Sequence, residues 1–178
     1  MKLRILITAI VVAAIVPVAA LADPAAPADK ANGARACQTL RTDMTEPVFK
    51  ATYGTNADKS NAFGVCVSRW TRTAHQNRTA AETACAAEQA DPNFAASHGG
   101  KTFAQFYGRG PSAAGAMQRC INSKRQAATA AAVNATENAA KKCAAERKLD
   151  PAAFKTKYGT NANKSDAFGK CVAKLATA

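Results

Sequence analysis

Several chemistries lack their residues in this chain. It has two histidines, His75 and His98, neither at a zinc-ligand spacing, and it has no Cys-x-x-Cys pair, so no zinc is expected. It has no Gly-x-Ser-x-Gly, no glycine-rich phosphate loop ahead of a helix, and no repeated histidine or paired carboxylates. Hydrolytic and nucleotide chemistry have nothing to stand on, and the expectation is a non-enzyme with no cofactor. Beyond residue 22 no segment is apolar enough to cross a bilayer.

The first 22 residues read as a secretory signal. Lys2 and Arg4 make a basic start, Ile5 to Val16 is a short apolar run, and Ala20-Leu21-Ala22 is a small-x-small cleavage site. The expected location is therefore secreted, extracellular or in the cell envelope. Acidic residues are scarce: after the signal, 22 basic side chains face 12 acidic ones, a net charge of +10. Residues 23–66 carry five of each, so the whole excess lies after residue 66. A basic half favours contact with polyanions such as anionic cell-wall polymers, lipid headgroups or extracellular nucleic acid.

What the chain does have is a unit written three times, each closed by two cysteines. The last copy reads Cys143…Phe154-x3-Tyr158-Gly159-Thr160-Asn161-x2-Lys164-Ser165-x-Ala167-Phe168-Gly169-x-Cys171-Val172. The first reads Cys37…Phe49-x3-Tyr53-Gly54-Thr55-Asn56-x2-Lys59-Ser60-x-Ala62-Phe63-Gly64-x-Cys66-Val67. The middle copy keeps Cys85…Phe103-x3-Tyr107-Gly108…Cys120-Ile121. In all three the tyrosine precedes the second cysteine by thirteen positions. Six cysteines in an exported chain favour disulfides. Of fifteen possible pairings the repeat selects Cys37–Cys66, Cys85–Cys120 and Cys143–Cys171, which leaves no cysteine nucleophile. Each bridge closes a loop of roughly 30 residues, which chain entropy values at about 3.5 kcal/mol. A unit of that size needs such a staple because its apolar core is small.

Within the last copy, Asp150-Pro151 reads as an N-cap followed by proline at the first helical position. Ala152 to Tyr158 makes a short helix with Phe154 and Tyr158 on one face. Gly159 is expected to end it in the left-handed conformation, and Ser165 or Asp166 to cap the next helix. Phe168, Cys171, Val172 and Leu175 then form an apolar stripe. Phe63, Cys66, Val67 and Trp70 repeat it in the first copy, with Glu46-Pro47 in place of Asp150-Pro151. Gly64 and Gly169 are candidates for close approach of a neighbouring backbone. Ser123 to Lys142 is alanine-dominated, without Pro or Gly, and predicts a helix running from copy two into copy three. Val67 to Ala84 does the same between copies one and two. The fold class is thus all-α: three disulfide-stapled helical repeats joined by Ala-rich helices in an elongated array. The divisions are a signal at 1–22, a disordered leader at 23–34, repeat 1 at 35–74, repeat 2 at 75–126, and connector with repeat 3 at 127–178.

Copy two departs from the pattern. An insertion at 95–101 contains His98-Gly99-Gly100-Lys101, Met117 replaces the phenylalanine, and Arg109-Gly110-Pro111-Ser112 replaces the Thr-Asn turn. Such departures are natural places for a specific site. The Gly-Gly-Lys run could form an anion nest, but a flexible turn is the commoner meaning of such a stretch. The turns Asn56 to Asn61 and Asn161 to Asp166 fail as calcium loops, lacking the central glycine and the closing glutamate.

The run Tyr158-Gly159-Thr160-Asn161-x-Asn163-Lys164-x2-Ala167-Phe168-Gly169-Lys170-Cys171-Val172 resembles one in uncharacterised secreted repeat proteins of soil bacteria, chiefly actinobacteria. The resemblance implies export and repetition over most of residues 35–178, and brings no activity with it. The function expected from these readings is a cell-surface or envelope interaction protein. Its basic half would bind an anionic cell-wall polymer through Lys155, Lys157, Lys164, Lys170 and Lys174, with no specific nucleic acid. A cationic membrane-active or toxin-like protein, making peripheral membrane contact, is the alternative; an enzyme using the His98 insertion is the third.

Overall fold

The computed structural model describes residues 25–110 and 112–177. The signal segment, with its cleavage position after Ala22, and Pro111 lie outside the described residues. Every regular element among them is a helix: α1 (Pro27–Asp43), α2 (Glu46–Tyr53), α3 (Ala62–Ala90), α4 (Phe94–Ser97), α5 (Phe103–Tyr107), α6 (Ala116–Leu149), α7 (Pro151–Tyr158) and α8 (Ala167–Ala176). The disulfides pair within copies, Cys37–Cys66, Cys85–Cys120 and Cys143–Cys171. No helix among the described residues is long and apolar enough to cross a membrane.

The local expectations for the last copy hold at its start. The Asp150 carboxylate accepts from the amides of Ala152 (3.1 Å) and Ala153 (2.9 Å), with Pro151 opening α7. One aromatic pair recurs in each unit: Phe49–Tyr53, Phe103–Tyr107 and Phe154–Tyr158, with ring centroids 5.1, 5.0 and 5.0 Å apart. The hydroxyls of these tyrosines each have a partner. Tyr107 and Tyr158 donate to Glu88 and Glu146, both at 2.9 Å, while Tyr53 accepts from the Trp70 indole at 3.0 Å. Burial first, and then the Glu88 bond, push the Tyr107 phenol up to about 12.

The leader expected to be disordered over 23–34 is helical from Pro27 onward. Proline presets the first turn, and Asp29 accepts from the Ala26 amide at 3.0 Å. Asp29 is fully buried against α3, where its carboxylate meets Arg78 Nε at 3.3 Å and His75 Nδ1 at 3.5 Å. Gly33 lets α1 close down: a Cβ there would lie 2.6 Å from the Thr71 amide nitrogen. The stretch has few large apolar residues to announce a helix, and one buried ion pair and one close approach hold it in place instead.

The array does not run in chain order. Helices α3 and α6, the longer of them about 50 Å, lie antiparallel. Glu88 bonds Lys124 (2.6 Å) near one end, and Asn77 bonds Thr129 (3.2 Å) farther along. Trp70 and Val133 then fall in one core. Unit 2 therefore sits at the tip of a hairpin, while units 1 and 3 meet at its base. These two share a single core that holds Leu40, Phe49 and Trp70 together with Phe154, Phe168 and Val172. Phe49 and Phe154 are its largest fully buried side chains, each worth about 1.5–3 kcal/mol of burial. Gly169 permits the junction, since a Cβ there would lie 2.8 Å from the Thr52 carbonyl oxygen. Its counterpart Gly64 has no neighbour within 4 Å, so only one of the two glycines makes the expected close approach. Units 1 and 3 meet because two half-cores bury more apolar surface together than apart.

Unit 2 has its own small core of Ala81, Cys85, Phe94, Phe103, Ala116, Cys120 and Ile121. Its insertion splits the short helix into α4 and α5, and Phe94, which the repeat spacing did not single out, is buried with Phe103. His98 stacks on Phe94 with centroids 3.8 Å apart and meets Phe106 edge-on at 4.6 Å. The histidine of the insertion is thus a packing partner.

Candidate functional site

The residues that copies one and three share, and copy two lacks, build two turns of one design. In the first, the Asn61 side-chain oxygen accepts from the amides of Thr55 (3.0 Å) and Asn56 (3.5 Å). In the third, Asp166 accepts from Thr160 (3.0 Å) and Asn161 (3.3 Å), and from the Thr160 hydroxyl. Asn56 bonds Ser60 and Asn161 bonds Ser165, both at 2.9 Å. Asp166 starts α8 without capping it by a side-chain bond; it closes the turn instead.

Gly159 corrects the expectation of a left-handed helix end, and its counterpart Gly54 behaves alike. Both are extended, with φ −68° and −74°. The left-handed residues are Lys59 (φ 59°) and Lys164 (φ 56°), an uncommon conformation for a side chain of that size. Each lysine folds back so that Nζ donates to the glycine carbonyl, Lys59 to Gly54 at 2.9 Å and Lys164 to Gly159 at 3.0 Å. A Cβ at Gly54 would lie 2.6 Å from the Lys59 Cβ, and one at Gly159 2.7 Å from the Lys164 Cβ. Glycine is needed there for the lysine's approach.

Because unit 3 packs on unit 1, the two turns face one another across a trough made of two adjoining cavities. One, about 540 Å³, is lined by Thr55, Lys59, Arg69 and Arg72 on the unit 1 side and by Asn161, Ser165, Asp166 and Lys170 on the other. The second, about 320 Å³, is lined by Lys50, Asp58 and Lys59, with Arg147, Lys155, Lys164 and Ser165 opposite. Lys59, Ser165 and Ala51 belong to both. Eight basic side chains line the trough against two carboxylates. Both carboxylates are held below the usual range by the turns. The Ser60 amide and hydroxyl lower Asp58, and the Thr160 hydroxyl, ahead of the turn amides, brings Asp166 to about 2.

Of the five lysines expected to bind polyanions, Lys155, Lys164 and Lys170 line the trough. Lys157 does not: it bonds Glu146 at 2.6 Å and lies over the Tyr158 ring. The Glu146 bond raises its pKa, and it in turn lowers that of Glu146. Lys174 lines neither cavity and stands in the field of the same Glu146. Sequence reasoning missed Lys50, Lys59, Arg69, Arg72 and Arg147. It set residues 23–66 aside as neutral, although Lys59 was marked as the twin of Lys164 by the repeat itself. Arg147 lies over the Phe168 ring at 4.6 Å and Arg69 over Tyr53 at 6.0 Å, while Lys50 pairs with Glu46 at 3.6 Å.

No known protein family, curated protein or solved structure matches this chain. The resemblance to secreted actinobacterial repeat proteins rests on its motif alone.

Proposed function

We propose that the protein is exported and acts without catalysis, holding an anionic polymer of the cell surface or envelope against the junction of units 1 and 3. The observation that carries this reading is the trough itself, with its eight basic and two acidic side chains. Three disulfides fit an oxidising compartment, and the basic start and apolar run of residues 1–22 fit export. Cations converging on a recessed surface raise the local concentration of a polyanion and speed its capture, and both effects weaken as salt screens them.

The test is retention of the oxidised protein on envelope fractions and on anionic polymers at rising ionic strength. Retention should fall steeply between about 0.05 and 0.5 M salt, where the screening length shrinks several-fold. Arg69→Glu with Arg72→Glu should abolish it at the lower salt while leaving the helical content unchanged. Retention that ignores both salt and the double substitution would remove the reading.

A further inference from the structure

We infer that the two turns form one composite site whose ligand is a thin chain of phosphate groups; this rests on the polyanion reading above and narrows it. The first argument is internal to the molecule. Unit 2 makes the same Phe–Tyr pair and its own disulfide without the Thr-Asn-x2-Lys-Ser turn. The fold of a unit therefore does not require that turn. Copies one and three keep it almost letter for letter, and these are the copies whose turns meet. What the turn supplies is the shared wall between them.

The second argument is the state of the cations. Lys59 and Lys164 each give one N–H to a glycine carbonyl, which fixes the ammonium and leaves it two more donors. Arg72, Lys155 and Lys170 have no hydrogen-bond or ion-pair partner for their side chains among the described residues. Asp58 and Asp166 accept hydrogen bonds from Ser60, Thr160 and Asn161 and form no ion pair with the trough's cations among the described residues, so eight basic side chains still outnumber two carboxylates.

The third argument is dimension and charge density. Cavities of about 540 and 320 Å³ sharing one lysine have the volume for a few linked groups of a single chain and not for a duplex. Several uncompensated cations in that space match a chain with an anion at every short repeat. Arginine forks also pair with two oxygens of one phosphate at once. A polyuronate carries its carboxylates on stiff, bulky rings rather than along a thin, flexible backbone. Anhydride-linked and ester-linked phosphate chains share this chemistry.

The experiment titrates the oxidised chain with inorganic polyphosphate, oligothymidylate, a polyuronate of equal total charge, and a DNA duplex, each at several salt concentrations. The two phosphate chains should bind at least about tenfold tighter than the polyuronate and the duplex. Five neutralised phosphates give a log–log salt slope of about −3.5. Arg72→Glu with Lys170→Glu should flatten that slope by about 1.4 and lower affinity more than tenfold. Lys155→Glu, in the other cavity, should weaken binding separately, and Lys101→Glu in unit 2 should leave it unchanged. The phosphate chain that binds tighter identifies the linkage, and either result supports the site. Polyuronate binding as tight as polyphosphate overturns this inference and leaves the polyanion reading standing. Salt-insensitive binding of all four overturns both. Equal losses from Lys101→Glu and Arg72→Glu/Lys170→Glu would overturn the trough as the site.

Discussion

Unit 2 and the joined pair of units 1 and 3 use the same local recipe under different loads. All three bring a phenylalanine and a tyrosine one helical turn apart and tie the flanking helices with a disulfide. Units 1 and 3 then merge into a core of nineteen buried residues, whereas unit 2 has seven. Alone at the hairpin tip, it recruits extra aromatics: Phe94 meets Phe103 at 5.6 Å and Phe106 at 5.8 Å, with His98 stacked behind. Phe106 stays 45% exposed even so. The position that carries Phe106 beside Tyr107 is Thr52 in unit 1, where it receives Gly169, and Lys157 in unit 3, where it pairs with Glu146. One repeat position thus serves packing at the tip, docking in one partner and surface charge in the other.

The largest expected effect comes from removing staples. Losing Cys85–Cys120 through Cys85→Ser with Cys120→Ser should cost about 2–5 kcal/mol. With only a seven-residue core behind it, unit 2 should open by itself. Amide exchange should rise across α4, α5 and the adjoining ends of α3 and α6, while α1, α2, α7 and α8 stay protected. The same change at Cys37 and Cys66 should lower the stability of the whole base, because that bridge sits in the shared core. Uniform loss of protection in the unit 2 variant would show that the tip is no separate module.

A smaller effect sharpens the junction itself. Gly169→Ala places a methyl group 2.8 Å from the Thr52 carbonyl oxygen and should destabilise by about 1–3 kcal/mol. Gly64→Ala meets nothing within 4 Å and should stabilise α3 by up to about 1 kcal/mol through helix propensity. Urea unfolding of both variants checks the pair. Equal effects would mean that unit 3 does not seat on unit 1 through Gly169.

These contrasts mark where the sequence is readable. The disulfide pairing, the Asp150 cap, the long alanine-rich helices and the stripe through Phe168, Cys171 and Val172 all follow from local spacing, and all are present. The folding-back of unit 3 onto unit 1 does not follow from spacing, because it depends on which half-cores find each other in space. Three further features are hidden in the same way, since each depends on which elements meet in space. Lys50 and Lys59 count as part of a neutral segment in the sequence and line a basic trough in the fold. Asp29 looks like a leader residue and is fully buried. Gly64 and Gly169 are equivalent letters, and one is packed while the other is open. The left-handed lysines were missed for a different reason. Gly54 and Gly159 are the usual helix stops, and the strain passed to a residue five positions later that holds it with its own ammonium.

The smallest expected effect separates the twin turns at the residue that closes them. Asn61 closes the first turn and does not titrate, whereas Asp166 closes the third and is held at about 2, first by the Thr160 hydroxyl and then by the Thr160 and Asn161 amides. A carboxylate depressed in the folded state contributes stability that is complete above its unfolded pKa of about 3.9. That contribution is lost as the pH falls through the folded value. The Thr160 and Asn161 amides should therefore loosen between about pH 4 and pH 2, while in the first turn the Asn61 amide keeps its bonds to Thr55 and Asn56 and acid acts only on the Ser60 bonds of Asp58. Amide exchange at Thr160 and Asn161, compared with Thr55 and Asn56 and corrected for the intrinsic pH dependence of exchange, reads the difference directly. Asp166→Asn should abolish it, since an amide then closes both turns. Acid loosening of both turns together would place the cause elsewhere, in the Asp58 carboxylate of the first turn or in the shared core.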